Sequence, residues 1–397
     1  VELDRQMPRW LAPKGQKATA FLWTSERSGH KQLELRGRDG ALRRVLTPKS
    51  VAYRRLVDYD RRRNRLVVAG GADPTQQQLY VVPLAKGGQV EALTSARGEH
   101  HGTFSRNHSL WVHRYAGLRA RKVTVRHGAT NKVLGALRSV AEAPSFRPTV
   151  QLHRVGERRF AASVVRPRGF RPGQRYPVIV YVYGGPHYRA VRAVGHRYLL
   201  WQWIADHGFI VVSIDGRGTP HRGRAWERAL KGSFHRAPLA DQVAGLKALG
   251  AKPPELDLKR VGVFGWSYGG YMALMAVLRR PEIFRAAVAG APVTEWRDYD
   301  THYTERYGGL LPKNKAGYDA DSALTYAKDL RRPLLVVHGT ADDNVYFFHS
   351  VKLARALFLA GKRFELLPLA GYTHVVPDPL VMRRLYERII GHFRRNL

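Results

Sequence analysis

The chain of 397 residues contains no cysteine. That excludes disulfides, a thiol nucleophile, and zinc or iron–sulfur sites ligated by cysteine, and it suits a bacterial or intracellular setting, the bacterial cytoplasm or periplasm, better than a disulfide-rich secreted one. Long apolar runs are missing too. The best candidate, residues 198–214, is interrupted by Asp206 and His207, and nothing approaches the roughly 18 to 20 residues needed to span a bilayer. No signal-like opening is present, but the first residue is Val1 and not Met, so a processed or partial chain is expected, from which a targeting segment could have been lost. Acidic residues are scarce, 31 against 67 Lys and Arg, which leaves a formal charge of +36. Such a charge attracts polyanions through counterion release alone. The basic residues are nevertheless dispersed as short runs, among them Arg54-Arg55, Arg61-Arg62-Arg63, Arg158-Arg159, Arg279-Arg280, Arg331-Arg332 and Arg394-Arg395, without interleaved aromatics. This pattern describes a solvated surface. Non-specific polyanion adhesion is expected from it, and a specific nucleic-acid partner is not.

What is present is a globular composition, 44% hydrophobic, in a chain long enough for two domains. The first third repeats. Short apolar strands at 21–23, 66–68 and 110–112 place Leu22, Leu66 and Leu110 at a constant spacing of 44 residues, and strands of matching character follow at 32–35, 78–81 and 122–125. The units close on Leu46-Thr47-Pro48 and Leu93-Thr94-Ser95, with a weaker echo at Leu137-Arg138-Ser139. Short strands at a period of roughly 40 to 50 residues are the mark of propeller blades, whereas a plain meander would give strands without the spacing. About three blades cannot close a ring, so residues 1–140 are expected to be part of a propeller, truncated at its N-terminus.

From residue 141 the pattern changes. Continuous apolar strands at 178–182, 209–214, 261–264, 286–289 and 334–337 alternate with helical stretches such as 199–206, 241–249 and 350–359. Buried strands with helical crossovers predict a doubly covered, mostly parallel sheet over 141–397.

Within that region Gly265-Trp266-Ser267-Tyr268-Gly269-Gly270 follows the strand 261–264 and precedes a helical stretch, 271–278. A G-x-S-x-G turn between strand and helix forces the serine into a strained conformation at the top of a sheet, with glycines where the two elements approach. Alone the pattern is a common turn; in this context it is a nucleophile elbow. Serine needs a base oriented by an acid, and in this fold both follow it in the order acid, then histidine. The loop after strand 334–337, His338 to Val345, carries Asp342 and Asp343; the loop after strand 364–367 carries His374. Most of the 17 histidines serve as surface or structural residues, and His338, His349 and His392 are read so, His338 as a support for its loop. Order and loop position select Ser267 and His374, while spacing leaves Asp342 and Asp343 as alternatives. An oxyanion hole would take the backbone N–H of Tyr268 and a donor from the loop after strand 178–182, where the Tyr183 hydroxyl is a candidate and packing under the loop is its other reading.

These phrases resemble the prolyl oligopeptidase family of serine peptidases, and within it the dipeptidyl peptidase IV branch. The match runs through Tyr183-Gly184-Gly185-Pro186, Asp215-Gly216-Arg217-Gly218, the elbow, Ala291-Pro292-Val293-Thr294, Tyr303-Thr304-Glu305-Arg306-Tyr307 and the acid loop, and Phe21 to Glu26 resembles a late propeller strand. The resemblance implies an α/β hydrolase preceded by part of an all-β propeller, with Ser267 as nucleophile, Asp342 as orienting acid, His374 as base and Tyr183 as side-chain oxyanion donor. It implies further that Val293, Trp296, Tyr299, Tyr303 and Val345 line a pocket for proline or alanine before the scissile bond, and that Asn344 holds the substrate backbone. No cofactor or metal is called for.

One departure bears on specificity. Dipeptidyl peptidases capture the substrate's free amine with an adjacent glutamate pair in the propeller, and no Glu-Glu occurs in this chain. The resemblance places that pair upstream of the blades present here, so the expected truncation accounts for its absence, and the expectation stays a serine peptidase releasing X-Pro or X-Ala dipeptides from peptide substrates, with homodimer formation left open. The competing readings are an acylaminoacyl peptidase, oligopeptidase or esterase with the same triad, and a non-catalytic polyanion-binding scaffold on an inherited fold.

Overall fold

The computed structural model describes residues 8–11, 17–251 and 255–397; residues 1–7, 12–16 and 252–254 lie outside the described set. The chain forms two compact units. One takes the described residues up to Arg147 together with Arg192–Arg197 and Pro220–Glu227; the other takes Pro148–Val191, Tyr198–Thr219 and Arg228–Leu397.

The first unit is three four-stranded antiparallel sheets in succession: β1 (Arg9–Leu11), β2 (Ala20–Ser25), β3 (Gln32–Gly37) and β4 (Leu42–Val45); β5 (Arg55–Asp60), β6 (Arg65–Gly70), β7 (Gln78–Pro83) and β8 (Glu91–Ala92); β9 (Glu99–Phe104), β10 (Leu110–Ala116), β11 (Arg121–His127) and β12 (Val133–Leu137). The two apolar strands read from each repeat are the second and third of each sheet. The first and fourth strands carry polar residues such as Glu99, His100 and Arg43, so hydrophobic patterning did not reveal them.

The repeated closing phrase has a common physical role. Leu46 and Leu93 donate their N–H to Leu33 and Leu79, each at 2.8 Å, and the Thr47 and Thr94 hydroxyls accept the N–H of the same two residues at 2.9 Å. In the third sheet Leu137 pairs directly with Val123 as part of β12. The 44-residue leucine spacing, by contrast, is not a structural equivalence. The positions opposite Leu33, Leu79 and Val123 are Thr24, Ala69 and Arg114, 45 residues apart, so Leu22 and Leu66 lie on opposite faces of their sheets. A one-residue slip inverts the face of a strand. Leu22 and Leu66 therefore meet in one core from neighbouring sheets, whereas Leu110 is exposed.

The second unit is built on one eight-stranded sheet, β13 (Val150–Val155), β14 (Phe160–Val165), β15 (Tyr176–Tyr181), β16 (Ile210–Asp215), β17 (Leu256–Trp266), β18 (Ala286–Gly290), β19 (Leu334–Gly339) and β20 (Glu365–Leu369), in the order β13-β14-β16-β15-β17-β18-β19-β20. β14 pairs antiparallel with both its neighbours, β13 and β16, and all the other pairings are parallel. Every residue of β14, β16, β18 and β19 is buried, which requires cover on both faces. The helices are α1 (Leu199–Ala205), α2 (Arg224–Glu227, counted with the first unit), α3 (Arg236–Gly250), α4 (Tyr268–Arg279), α5 (Thr301–Gly308), α6 (Lys315–Asp321), α7 (Phe348–Leu359) and α8 (Pro379–Asn396). α4 is apolar all round and buried from Tyr268 to Leu278, as a central helix must be. α8 begins with Asp378 accepting the Val381 N–H at 3.0 Å and proline in its first turn, a strong start signal that fixes the loop bearing His374 just before it. Among the described residues no helix is long and apolar enough to cross a membrane.

Candidate active site

Ser267 stands between β17 and α4 with φ 62° and ψ −122°, a conformation costly for any residue with a Cβ, roughly 1–3 kcal/mol. Its N–H is held by the Gly290 carbonyl at 2.8 Å. The glycines around it are enforced by contact. A Cβ at Gly265 would lie 2.2 Å from the Gly269 carbonyl oxygen, one at Gly269 2.3 Å from that of Val182, and one at Gly270 2.2 Å from that of Gly290. Strand, helix and the two flanking strands thus pack backbone to backbone, and the serine is the residue left projecting at the strand's end.

The acid loop leaves β19 at the same C-terminal edge of the sheet, where α/β proteins build their sites. Asp342 is buried and Asp343 exposed. The Asp342 carboxylate faces four donors: Oδ1 accepts the N–H groups of Asn344 at 3.0 Å and Val345 at 2.9 Å, while Oδ2 stands 2.7 Å from His374 Nδ1 and 3.2 Å from His338 Nε2. Of the two alternatives left open by spacing, Asp342 faces His374 and Asp343 lies exposed. His338 is fully buried between Ser350, 2.7 Å from its Nδ1, and the Val345 carbonyl, 2.7 Å from its Nε2. A carbonyl only accepts, so Nε2 carries the proton and the Ser350 hydroxyl donates to Nδ1. Burial pushes the His338 pKa down, against the opposing pull of the Val345 carbonyl and Asp342, and the ring is neutral.

His374, on the loop after β20, is tied to the elbow through its backbone: the Trp266 indole N–H donates to the His374 carbonyl at 3.0 Å. The residue before the serine therefore anchors the loop that carries the histidine.

Tyr183 follows β15, with its ring 4.8 Å from that of Tyr188 and 5.7 Å from that of Tyr268. The Tyr268 side chain turns inward, donating to the Phe234 carbonyl, and burial holds its hydroxyl well above the usual tyrosine range. Its backbone N–H is at the first turn of α4, where helix N–H groups lack internal partners. The aromatic set expected for a pocket is assembled as one group. Trp296 stacks on Tyr303 at 6.1 Å and meets Tyr299 edge-on at 5.9 Å, and Tyr299 meets Tyr303 edge-on at 5.5 Å. Asp300 caps α5 by accepting the Tyr303 N–H at 2.8 Å, which sets that ring's height. Tyr299 donates its hydroxyl to Asn344 Oδ1 at 2.9 Å, linking this group to the acid loop. Burial raises the Tyr299 pKa and raises that of Tyr303 strongly, so both stay neutral phenols. Val293 and Val345 are buried, Val293 two residues before Glu295, whose side chain caps the turn bearing Trp296.

Two contributors carry no motif. Phe234 stacks beneath Trp296 at 3.9 Å, on a loop whose N–H groups and the His235 ring are gathered by the buried Asp321. His187, at φ 66° in the glycine loop after Tyr183, is joined to the Tyr307 hydroxyl at 2.8 Å. Its one sequence signal is its place directly after the Tyr183 to Pro186 phrase.

Residues 197–397 match the prolyl oligopeptidase family, and residues 1–121 match the dipeptidyl peptidase IV N-terminal region. Dipeptidyl peptidase 8 of Mus musculus is 35% identical over 342 residues, 82% of this chain and 38% of that protein; its Homo sapiens counterpart is 34% identical over 84% of this chain and 39% of its own length. The crystal structure of Porphyromonas gingivalis dipeptidyl peptidase 4 superposes with a TM-score of 0.88 at 28% identity, over 98% of this chain and 56% of that one. The chain thus spans about two fifths of the length of the curated relatives it matches. Its fold is an α/β hydrolase preceded by part of an all-β propeller, and with half of its residues matched to that family, the chain belongs to the prolyl oligopeptidase family.

Proposed function

We propose that this chain carries the active site of a serine peptidase that hydrolyses peptides after a penultimate proline or alanine, releasing dipeptides through an acyl-enzyme. The observation that carries the reading is the Asp342 carboxylate, buried, bonded to four donors and set against His374 Nδ1, at the sheet edge where Ser267 is held in a strained elbow. On this reading Ser267 Oγ attacks the scissile carbonyl and passes its proton to His374 Nε2. Asp342 accepts the hydrogen bond of the Nδ1 proton and keeps it in place. The Tyr268 N–H and the Tyr183 hydroxyl stabilise the oxyanion, the amine leaves with the proton from His374, and water then hydrolyses the Ser267 ester. Trp296, Tyr299 and Tyr303, with Val293 and Val345, offer a proline ring flat aromatic contact in place of hydrogen bonds, and Asn344 holds the peptide backbone. Residues 1–140 are read as about three propeller blades and 141–397 as the catalytic domain. Peptides are the partners on this reading, and a homodimer is a further expectation that light scattering checks.

Labelling of Ser267 by a fluorophosphonate probe, with turnover of a Gly-Pro chromogenic substrate that N-acetylation abolishes, is the expected result. No labelling would sink the peptidase reading in favour of a scaffold. The alternative is an acylaminoacyl peptidase, oligopeptidase or esterase with the same triad, for which acetyl-Ala or acyl-ester substrates would turn over faster than Gly-Pro.

A further inference from the structure

Two of the arginine doublets dispersed along the sequence come together in the folded second unit. At the N-terminal ends of β19 and β20, opposite to the edge that carries Ser267 and Asp342, a cavity of about 500 Å³ is lined by Arg331, Arg332, Arg363 and Arg395, with Phe364 as part of its apolar wall and Glu365 as its one carboxylate. That carboxylate is already committed. Arg388 bonds to it, His392 Nδ1 lies 3.3 Å away and Arg395 3.6 Å away. Arg332 is anchored through Nε to the Pro281 carbonyl at 2.9 Å. Arg331 and Arg363 are exposed and make no hydrogen bond or ion pair among the described residues. A second cavity, of about 300 Å³, is also lined by arginines, but each has a partner: Arg260 and Arg175 stand 2.8 and 3.7 Å from Asp257, which lies outside the lining, and Arg394 donates to the His207 carbonyl at 3.3 Å. What marks the first cavity is that two of its four guanidinium groups, those of Arg331 and Arg363, have no partner among the described residues.

The geometry points to a binding site for a compact oligophosphate, a run of adjacent tetrahedral oxyanions. Guanidinium groups are always charged, and their planar forks match phosphate bidentately. Several of them around one concavity repel one another, and a multivalent anion relieves that repulsion. The volume lies in the range of small-molecule sites and is too small to admit a nucleic-acid duplex. The ligand is either a free inorganic oligophosphate or the same group on a nucleotide, whose base would lie along Phe364.

The test is calorimetric titration of the chain with tripolyphosphate and, separately, with ATP, at physiological salt. It is repeated with R331A/R363A and with R61A/R62A, which removes two exposed arginines from the turn between β5 and β6. Saturable one-site binding that weakens about 100-fold in R331A/R363A and less than 3-fold in R61A/R62A is expected, from the loss of two charge-assisted contacts. Peptidase turnover and circular dichroism of R331A/R363A should match the parent, since neither residue belongs to the catalytic edge. Equal affinities for the two ligands assign the inorganic group, and tighter ATP binding assigns a nucleotide. Failure of both to bind saturably overturns the site. So does equal weakening in the two double variants, or displacement of either ligand by a DNA duplex that depends equally on both pairs, because each would reduce the effect to the overall charge.

Discussion

His374 Nδ1 and His338 Nε2 converge on the same oxygen of Asp342, at 2.7 and 3.2 Å. The remaining oxygen is filled by the N–H groups of Asn344 and Val345, so every acceptor position of this buried carboxylate is used. Replacing it by the isosteric amide, D342N, turns an –NH2 towards one of these donors and favours the wrong His374 tautomer. A loss of about 10³–10⁴ in kcat on a Gly-Pro substrate is expected, with little change in KM. D343N, at the exposed neighbour, should retain activity within about 2-fold. Steady-state kinetics of the pair decides the assignment, and equal losses would refute it.

The contrast between these neighbours shows how far the sequence could be read. Strand, turn and helix around Ser267 were legible because glycine spacing, β-branched runs and chain order are local properties. The choice of Asp342 over Asp343 by residues alone was not, since it depends on which carboxylate the loop folds inward to meet the N–H groups two and three residues on. The blade repeat illustrates the same division. The Leu-Thr phrase at 46–47 and 93–94 reports a real closure, because its hydrogen bonds are made by the residues that repeat. The 44-residue leucine interval misleads by one position, since apolar residues occupy both faces of the middle sheet and only the ladder register tells the faces apart. Phe234 was beyond reach, being brought to the site by the fold from a loop that carries no recognisable pattern, and although His187 adjoins the Tyr183 to Pro186 phrase, nothing local ties it to Tyr307.

The closure phrase makes a stability prediction. Thr47 is fully buried and its hydroxyl accepts the Leu33 N–H. T47V keeps the volume but leaves that N–H unpaired in the interior, which costs about 1–3 kcal/mol. Urea unfolding of the first unit, followed by tryptophan fluorescence, should register the loss as a lower midpoint with an unchanged slope. T94V removes the equivalent acceptor of Leu79, though with one difference: its hydroxyl also donates to Gln78, so two partners are released.

Acid should weaken the second unit through His349. It is buried at the start of α7, with Nδ1 facing the Thr294 N–H at 3.2 Å, and burial lowers its pKa to about 4. The unfolded chain takes up this proton near pH 6.5, the folded one only near pH 4. Stability is therefore level above the unfolded value and falls as pH drops from about 6.5 to about 4, by up to about 3 kcal/mol for this residue. Denaturation midpoints at pH 7.5, 5.5 and 4.5 should decline in that order. H349Q, which cannot be protonated, should flatten the profile even if it lowers stability at pH 7.5. An unchanged slope in that variant would assign the acid sensitivity to other groups.

The elbow glycines allow a sharper test of the nucleophile's setting. A methyl at position 269 would lie 2.3 Å from the Val182 carbonyl oxygen and 3.2 Å from the Tyr183 Cα, both backbone atoms that cannot rotate away. G269A must therefore push α4 and the strand end bearing Tyr183 apart, displacing Ser267 and the Tyr268 N–H relative to Tyr183. Misplacement on the scale of 1 Å costs about 100-fold in rate. The expected result is a fall of at least that size in kcat with a lowered melting temperature. Gly361, with open space around its Cβ direction but φ of 65°, is the control, because G361A brings backbone strain without a clash near the site. If G269A loses no more activity than G361A, the close packing of strand and helix is not what sets the serine's position.

The aromatic group at 296–303 makes a prediction about selectivity. Tyr303 sits between Trp296, Tyr299 and Tyr307, with rings 6.1, 5.5 and 4.9 Å away, and its capped helix leaves it little freedom. Truncation by Y303A opens the space a pyrrolidine ring would fill and removes its aromatic contact. Cleavage after proline should lose about 10–100-fold in kcat/KM, the range expected when a few methylene-sized contacts are removed from an apolar pocket. Cleavage after a larger residue such as leucine should fall less, or rise, because the new space admits it. Y303F, which keeps the ring, separates packing from hydrogen bonding: retained proline preference in this variant alongside its loss in Y303A assigns the selectivity to the ring face. A uniform loss across proline, alanine and leucine substrates in Y303A would instead mean that Tyr303 supports the fold of α5 and does not choose the substrate.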